Sequence, residues 1–341
     1  MVTNKINTLL IGLGNIGCKY DFPIKYKDDK PASSAKIITH ARAISCHPDY
    51  KFIAGIDFNS DACKKFNIIY KNPTYSCIDL FLREERVNID FVIIAVNPHY
   101  QPKLIEEVIE KLNPKVLLIE KPIAISMEET FRIQTICKKK PNLIVYVNYG
   151  RRYLPVVNKF SKLIKSGNVG KFLYGSVIYG KGLLTNGSHF LNLAQSWIGK
   201  LIHQKTLSIG KNYNDFDHEV SFISKLENNN SLLGVYSVGE NNLRAGEIDL
   251  WFEGGRLCWL NNEKYIYFWP RMRSNSILES YDSLAEIPEI TAINHSKIQF
   301  HVLDSIKEVF ISNDKIKPIC TLGDCVQTMA LMNTALSSQI Y

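Results

Sequence analysis

The feature that most narrows the fold is a glycine-rich turn set directly behind a short apolar run. Leu9-Leu10-Ile11 leads into Gly12-Leu13-Gly14-Asn15-Ile16-Gly17, a GxGxxG pattern. Between a strand and a helix, such a turn lets backbone amides and the helix N-terminus hold a pyrophosphate. Gly12 permits the tight turn, Gly14 the close approach of a ligand, and Gly17 the packing of helix on strand. Asn15 and Ile16, inside the same turn, count with them as cofactor-binding positions. The pattern gains its weight from the rhythm of the next 130 residues. Asn7 to Ile11, Phe52 to Asp57, Phe91 to Val96, Val116 to Glu120 and Leu143 to Val147 read as buried strands separated by longer amphipathic stretches. That alternation predicts a parallel sheet with crossover helices, one of them carrying Leu104, Ile105, Val108, Ile109 and Leu112 on its apolar face. The expected first domain spans residues 1–149.

Beyond Arg151 the texture changes. Lys171 to Gly180, Leu232 to Val238, Glu247 to Phe252, Arg256 to Leu260 and Tyr265 to Trp269 are strand-like and closely spaced, the signature of an antiparallel sheet. Gly254-Gly255 offers the positive φ angles that a tight hairpin needs. Near the C-terminus Asp324 is placed to cap a helix carrying Cys325, Met329, Met332 and Leu336 on one face. The fold class expected is therefore an α/β Rossmann-type N-terminal domain followed, over residues 150–341, by an α+β domain with a large, open, mostly antiparallel sheet. This second domain is expected to bind substrate and to form the oligomer.

Asp57 ends the second strand, where a carboxylate accepts hydrogen bonds from both adenosine ribose hydroxyls and repels a 2′-phosphate. This favours NAD over NADP. Asp57 lies further from Gly17 than the usual interval of about 20 residues, so an insertion lies between them, placed at Cys18 to Ile38. Two readings of it stand: a flap over the ligands, or an ordinary surface excursion.

Composition bounds the remaining classes. With 45% apolar and 22% charged residues among 341, and no apolar run near the roughly 18 residues of a membrane span, the chain reads as a soluble two-domain protein. The N-terminus runs straight into a strand without the regions of a secretion signal. Eight cysteines occur without a CxxC pair or a Cys/His grouping, which points to a reducing, cytoplasmic setting and to no metal. The net charge of +8 is spread along the chain, a pattern that disfavours nucleic acid. His40, His47, His203, His218, His295 and His301 read as structural or surface groups. Asp217-His218-Glu219 attracts notice as a metal or proton site, but neighbours in a strand point to opposite faces. The triplet is therefore not counted among the site residues.

Taken together, GLGNIG, Asp57, Ala95-Val96-Asn97-Pro98-His99 and Glu120-Lys121-Pro122 resemble the glucose-fructose oxidoreductase, inositol dehydrogenase and rhizopine catabolism family, Gfo/Idh/MocA. The likeness continues through Asn148-Tyr149-Gly150-Arg151-Arg152-Tyr153-Leu154-Pro155, which resembles the segment joining the family's two domains. It extends to Thr185-Asn186-Gly187-Ser188-His189-Phe190-Leu191-Asn192, which resembles the family's DxGxHxxD stretch. The resemblance implies that Val96, Asn97, Pro98 and His99 lie under the nicotinamide, and that Glu120, Lys121 and Asn148 also meet the cofactor. It implies that Lys121, at the carboxyl edge of a parallel strand where such sheets bind ligands, contacts both the nicotinamide ribose and the substrate. It makes His189 the acid/base, since an oxygen must change protonation state as hydride moves. Thr185 and Asn192 stand where the family has aspartates; neither titrates, and both are expected to hydrogen-bond sugar hydroxyls. Arg152 and Tyr153 are expected to bind substrate, with Arg151 and Arg152 available to a phosphate.

The activity implied is NAD(H)-dependent oxidoreduction at a ring hydroxyl or ketone of a sugar or nucleotide-linked sugar, with a role in surface glycan assembly. A catabolic polyol or inositol dehydrogenase and a non-catalytic dinucleotide-binding sensor stay open beside it. The family resemblance also implies a homodimer or homotetramer built through the exposed face of the second sheet.

Overall fold

A computed structural model of the chain describes residues 5–21, 36–214, 216–239, 243, 245–260, 262–273, 281–312 and 316–338. The chain divides into two compact units. One comprises Met1–Tyr153 with His295–Cys325, the other Leu154–Asn294 with Val326–Tyr341. Residues 295–325, which the sequence reading kept with the second domain, pack in the first unit. There Gln299 is 4% exposed, and the Val147 amide donates to the Cys320 carbonyl.

In the first unit, β1 (Ile6–Ile11), β2 (Tyr50–Ile56), β3 (Thr74–Tyr75), β4 (Phe91–Ile94), β5 (Val116–Ile119) and β6 (Ile144–Val147) form one parallel sheet in the order β3-β2-β1-β4-β5-β6. The crossovers are α1 (His40–Cys46), α2 (Ser60–Tyr70), α3 (Ile78–Glu84), α4 (Gln101–Lys111) and α5 (Met127–Lys138). Phe91 to Ile94 and Val116 to Ile119 are wholly buried, the continuous apolar run of a strand covered on both faces. Caps set the helix starts. Asn59 accepts from the amides of Asp61 and Ala62 to open α2, and Ser126 accepts from the Glu129 amide to open α5. The insertion expected at Cys18 to Ile38 lies for the most part outside the described residues. Its two stems are tied by one carboxylate, since Asp21 Oδ2 accepts from the amides of Ile38 and Thr39 and from the Thr39 hydroxyl at 2.7–2.9 Å.

The second unit opens with α6 (Pro155–Lys165), β7 (Phe172–Tyr179) and α7 (Ser188–Ile198), followed by β8 (Leu201–Asn214), β9 (Asp217–Leu226) and β10 (Leu232–Ser237). Next come β11 (Gly246–Phe252), β12 (Gly255–Leu260), β13 (Tyr265–Met272), β14 (Ser283–Leu284) and β15 (Glu289–Ala292). The nine strands form one sheet in the order β14-β13-β12-β11-β7-β10-β9-β8, with β15 also on β13. Pairing is antiparallel except between β7 and β10. The hairpin between β11 and β12 turns at Glu253-Gly254, with the positive φ, +153°, at Gly255. Along β11, Ile248, Leu250 and Phe252 are buried and alternate with half-exposed Glu247, Asp249 and Trp251. On the buried face Phe190 and Trp197 of α7 each meet the Trp259 ring at 6.5 Å.

Two long helices complete the chain, α8 (Ile298–Ile311) and α9 (Leu322–Ser337). The start of α9 departs from the sequence reading. Thr321 is the capping residue and Asp324 its reciprocal partner, each side chain accepting from the other's backbone amide at 2.9–3.0 Å. No helix among the described residues is long and apolar enough to cross a membrane.

Burial holds the imidazoles of His47, His203 and His301 below their ordinary protonation range, at His47 despite the carboxylates of Asp304 and Asp49. The unfolded chain then binds more protons than the folded one below pH 6.5, the ordinary value. Their contribution to stability is full above that value and is lost as pH falls through the depressed range. The urea midpoint at pH 5.5 is expected to lie below that at pH 7.5, and His47→Phe should flatten part of the slope. A midpoint that rises on acidification would contradict this account.

Candidate functional site

In the first unit, the turn after β1 is built by overlap rather than by choice of side chain. Gly12 has φ +99°, and a Cβ there would collide with the Ala95 carbonyl at the end of β4. A Cβ on Gly17 would collide with the Gly12 carbonyl oxygen, so Gly17 lets the following turn close onto the strand. Gly14 differs from both. A Cβ on it would meet no protein atom within 4 Å, because it faces open space. Gly12 and Gly17 are thus places where backbone packs on backbone, and Gly14 is the one of the three with open space beside it.

That open space is a cavity of about 850 Å³ at the carboxyl ends of β1, β2 and β4. Gly12, Gly14, Asp57, Val96, Asn97 and His99, all expected from sequence, line it. Asp57 Oδ2 accepts from the Leu13 amide at 2.7 Å, and Oδ1 from the Asn59 amide at 2.9 Å. The carboxylate thereby joins the glycine turn to the start of α2. Sequence reasoning missed Lys19, Phe58 and Tyr100 on the same wall. Phe58 is 84% exposed and Tyr100 64%, and aromatic residues left open beside a cavity are the signal that could have found them.

Asn15, Ile16 and Gly17 sit in the turn itself, and Pro98 lies beside the lining residues Asn97 and His99. Glu120, Lys121 and Asn148 stand past the ends of β5 and β6. Lys121 is half-buried and precedes Pro122 through a cis bond. The Glu120 carboxylate is taken up internally: Oε1 accepts from His40 Nε2 at 2.7 Å and from Asn148 Nδ2 at 2.5 Å. Asn148 also donates to Gln299 Oε1 at 3.2 Å. His40, Glu120, Asn148 and Gln299 thus form a buried polar cluster that includes the neighbour of Lys121, all four at most 8% exposed. Its geometry gives Glu120 and Asn148 a supporting place in the scaffold.

Arg152 and Tyr153, expected to bind substrate, are both buried. Arg152 is 8% exposed, donates to the Ile319 carbonyl and pairs with Asp324 at 3.3 Å. Tyr153 is 2% exposed, and burial pushes its phenol well above the ordinary range. Both bind the 3₁₀ turn Gly150–Tyr153 to the returning segment, because a guanidinium taken out of water needs a carboxylate and carbonyls around it. Arg151 is half-exposed.

In the second unit, Leu183–Gly187 makes a single π turn that runs into α7, and His189 is the second residue of α7. His189 and Thr185 are half-exposed. Asn192 is 1% exposed and donates to Thr328 Oγ1 at 2.9 Å, which in turn donates to Gln195 Oε1. Its amide thereby joins α7 to α9.

Asp217 and Glu219, left out of the site on sequence grounds, belong beside it. Asp217 is fully buried and accepts from the amides of Leu184 and Thr185; Glu219, 2% exposed, accepts from the Gly182 amide. Residues i and i+2 of a strand share a face, so Asp217 and Glu219 converge on the turn while His218 points away. Comparing only immediate neighbours in the triplet concealed that pair. Among the described residues no three or more His, Cys, Asp or Glu side chains group so as to hold a metal ion.

A glycine cradle with its open side at Gly14, a carboxylate at the end of β2 and a cavity at the strand ends fit a dinucleotide, and define the class as a Rossmann nucleotide-binding protein. Residues 6–149 match the family model described as an oxidoreductase family with an NAD-binding Rossmann fold. Over those residues the chain is similar to the Gfo/Idh/MocA oxidoreductase family. No match was found among curated proteins.

Several solved structures share the fold over nearly the whole chain. The WlbA dehydrogenase from Bordetella pertussis, in complex with NADH and UDP-GlcNAcA, is 13% identical with a TM-score of 0.75, covering 98% of this chain and 96% of that one. A myo-inositol dehydrogenase from Corynebacterium glutamicum is 15% identical with a TM-score of 0.70 and the same coverage. The transcriptional regulator Gal80p from Kluyveromyces lactis is 14% identical with a TM-score of 0.76, covering 98% and 92%. At these identities the likeness is one of fold.

The glycine environments separate binding from folding. Gly14→Val should weaken NADH binding at least about tenfold, because the side chain enters the ligand's space, while the thermal midpoint stays near wild type. Gly17→Val should lower the midpoint, because its side chain enters backbone. Fluorescence titration and thermal melts of both variants check the pair of outcomes.

Proposed function

We propose that the chain is an NAD(H)-dependent dehydrogenase acting on a ring hydroxyl or ketone of a sugar or nucleotide-linked sugar in the cytoplasm. The observation that carries the reading is the cavity walled by Gly14 and Asp57. The Asp57 carboxylate lines that cavity, where it would accept from a ribose and disfavour a 2′-phosphate, which supports NAD over NADP. When bound, NAD accepts or supplies the hydride. Lys121, at the carboxyl end of β5, orients the reacting oxygen and favours its negative charge. His189, at the start of α7, takes up or returns the oxygen's proton. Arg151, in the same segment as Arg152, is half-exposed. Support for a nucleotide-linked substrate rests on the charge balance of +8.

A panel of sugars, polyols and nucleotide sugars, each with NAD and separately with NADP, tests this by absorbance of the reduced nicotinamide. Turnover is expected with NAD. Lys121→Ala should lower kcat by about 100-fold or more, within the range for removing one group that stabilises developing negative charge. Turnover restricted to myo-inositol or other polyols would move the assignment to a catabolic dehydrogenase. Silence across the panel with NADH binding intact would replace the enzyme by a sensor.

The second unit also supports a homo-oligomer. Tyr174, Trp251, Arg256 and Trp269 form a row across four strands on the sheet face opposite α7, with the Arg256 guanidinium 5.0 and 5.5 Å from the two indole rings. Aromatic and arginine residues of this kind anchor protein interfaces. The chain should elute at twice or four times its own mass. Trp251→Glu should yield monomer, and a monomeric wild type would sink the proposal.

A further inference from the structure

The second unit holds two buried carboxylates that the proposed chemistry does not use. Asp217 and Glu219 are 0% and 2% exposed, so neither is open to solvent. Both are spent on the segment that precedes His189. Asp217 Oδ1 accepts from the Leu184 amide at 2.8 Å and Oδ2 from the Thr185 amide at 2.7 Å. Glu219 Oε1 accepts from the Gly182 amide at 2.8 Å, and its other oxygen from the Ser237 hydroxyl. Gly182 has φ +81°, and a Cβ on it would overlap the Asp217 carboxylate, so the backbone is drawn directly against the acid.

We propose that Asp217, supported by Glu219, is the positioning residue for His189. The deduction rests on the reading of His189 as the acid/base. The chain from carboxylate to imidazole is short and made of covalent or hydrogen-bonded steps. Asp217 holds residues 184 and 185. These lie inside the π turn, which closes where the amides of Asn186 and Gly187 both donate to the Gly182 carbonyl at 3.0 Å. Ser188 Oγ then donates to the Leu184 carbonyl at 2.7 Å, which ties the first residue of α7 to a residue Asp217 holds. His189 is the next residue. A π turn is rare and is found mostly at functional segments, and the first amides of such a turn need acceptors from outside it. Here the acceptors are the two oxygens of one carboxylate, aimed at amides that open a helix, where negative charge is favoured.

The chemistry specifies an acid rather than an amide. Two backbone N–H groups enter one side chain, and each needs an acceptor. Asparagine has almost the same volume but offers one oxygen and sets its NH₂ against the other amide. Asp217→Asn therefore removes one anchor of the turn without opening a cavity.

The experiment compares wild type, Asp217→Asn, Ser237→Ala and His189→Asn as full-length chains. It reads kcat and KM on the best panel substrate, NADH affinity by fluorescence, and the His189 ring signals by long-range ¹H–¹⁵N NMR, assigned by their loss in His189→Asn. For Asp217→Asn the expected result is an NADH affinity within about twofold of wild type, KM within about threefold, kcat lowered at least about tenfold, and displaced His189 ring signals. Ser237→Ala, which leaves Asp217 in place and removes one donor to Glu219, should lower kcat about threefold in the same pattern and serves if Asp217→Asn does not fold.

If His189→Asn collapses turnover while both other variants keep kcat within about twofold, the positioning role is overturned and the acid/base reading stands. If His189→Asn keeps turnover, or wild type turns over no sugar, the acid/base reading falls. The ring signals then decide the structural claim by themselves: unmoved in both variants they overturn it, displaced they uphold it.

Discussion

The nucleotide site depends on backbone touching backbone. Gly12 and Gly17 are places where the turn after β1 lies against the Ala95 carbonyl and against itself, so closely that a single added methyl would force the chain apart. Only because that turn is collapsed does Gly14 face out into open space, and only then can amides rather than side chains present themselves to an anion. Asp57 extends the same constraint. By accepting from the Leu13 amide it ties the turn to the end of β2, and by accepting from the Asn59 amide it ties it to the start of α2. The wall of the cavity is thus held from three strands and from α2, α3 and α4.

Charge burial obeys one rule in both units. Glu120 is buried with His40 and Asn148 as donors, Arg152 with Asp324 and a carbonyl, and Asp217 and Glu219 with backbone amides. A carboxylate taken from water costs several kcal/mol unless donors replace the lost solvent, and hydrogen bonds to charged groups return about 1.5–3 kcal/mol each. Each of these residues is therefore committed to specific partners, and the geometry of those partners is correspondingly stiff. Arg152 and Asn192 carry the residue types a sugar phosphate would want, and each has a partner within the scaffold.

Much of the fold was legible because its strongest signals are local. Five first-unit strands, α4, and the strands β7 and β10 to β13 lie where alternation and apolar runs placed them, since burial on one or both faces writes itself into sequence at period two or as an unbroken run. β8 was not legible. Its fourteen residues, Leu201 to Asn214, are mostly exposed and its pairing with β9 slips register four times, so no steady alternation survives. The cap of α9 was misplaced by three residues because Thr321 and Asp324 satisfy each other, and either alone reads as a cap. The return of residues 295–325 to the first unit leaves no local mark at all, since it is fixed by partners such as Ile319 and Gln299 more than 150 positions from those they meet.

The site shows the same division. Gly12, Gly14, Gly17 and Asp57 could be found because their roles demand a residue type at a fixed spacing from a strand. Asp217 and Glu219 could not be found through adjacency, yet the period of a strand already contained them: Asp217 and Glu219 must share a face if residues 217–226 are extended, and the buried positions Val220, Phe222 and Ser224 leave that face inward only after a slip of one residue. The pattern runs buried at 217, 219 and 220, then at every second residue. Two acids pointing inward at the start of a strand have no apolar explanation. They require donors, and an exposed strand edge or a water layer cannot supply them at 0–2% exposure. Besides the Ser237 hydroxyl, the donors come from backbone amides left unused by regular structure, which is what the first residues of a helix provide. Inward acids at a strand end thus predict a helix start against them, and in this chain that helix start is the one that carries His189.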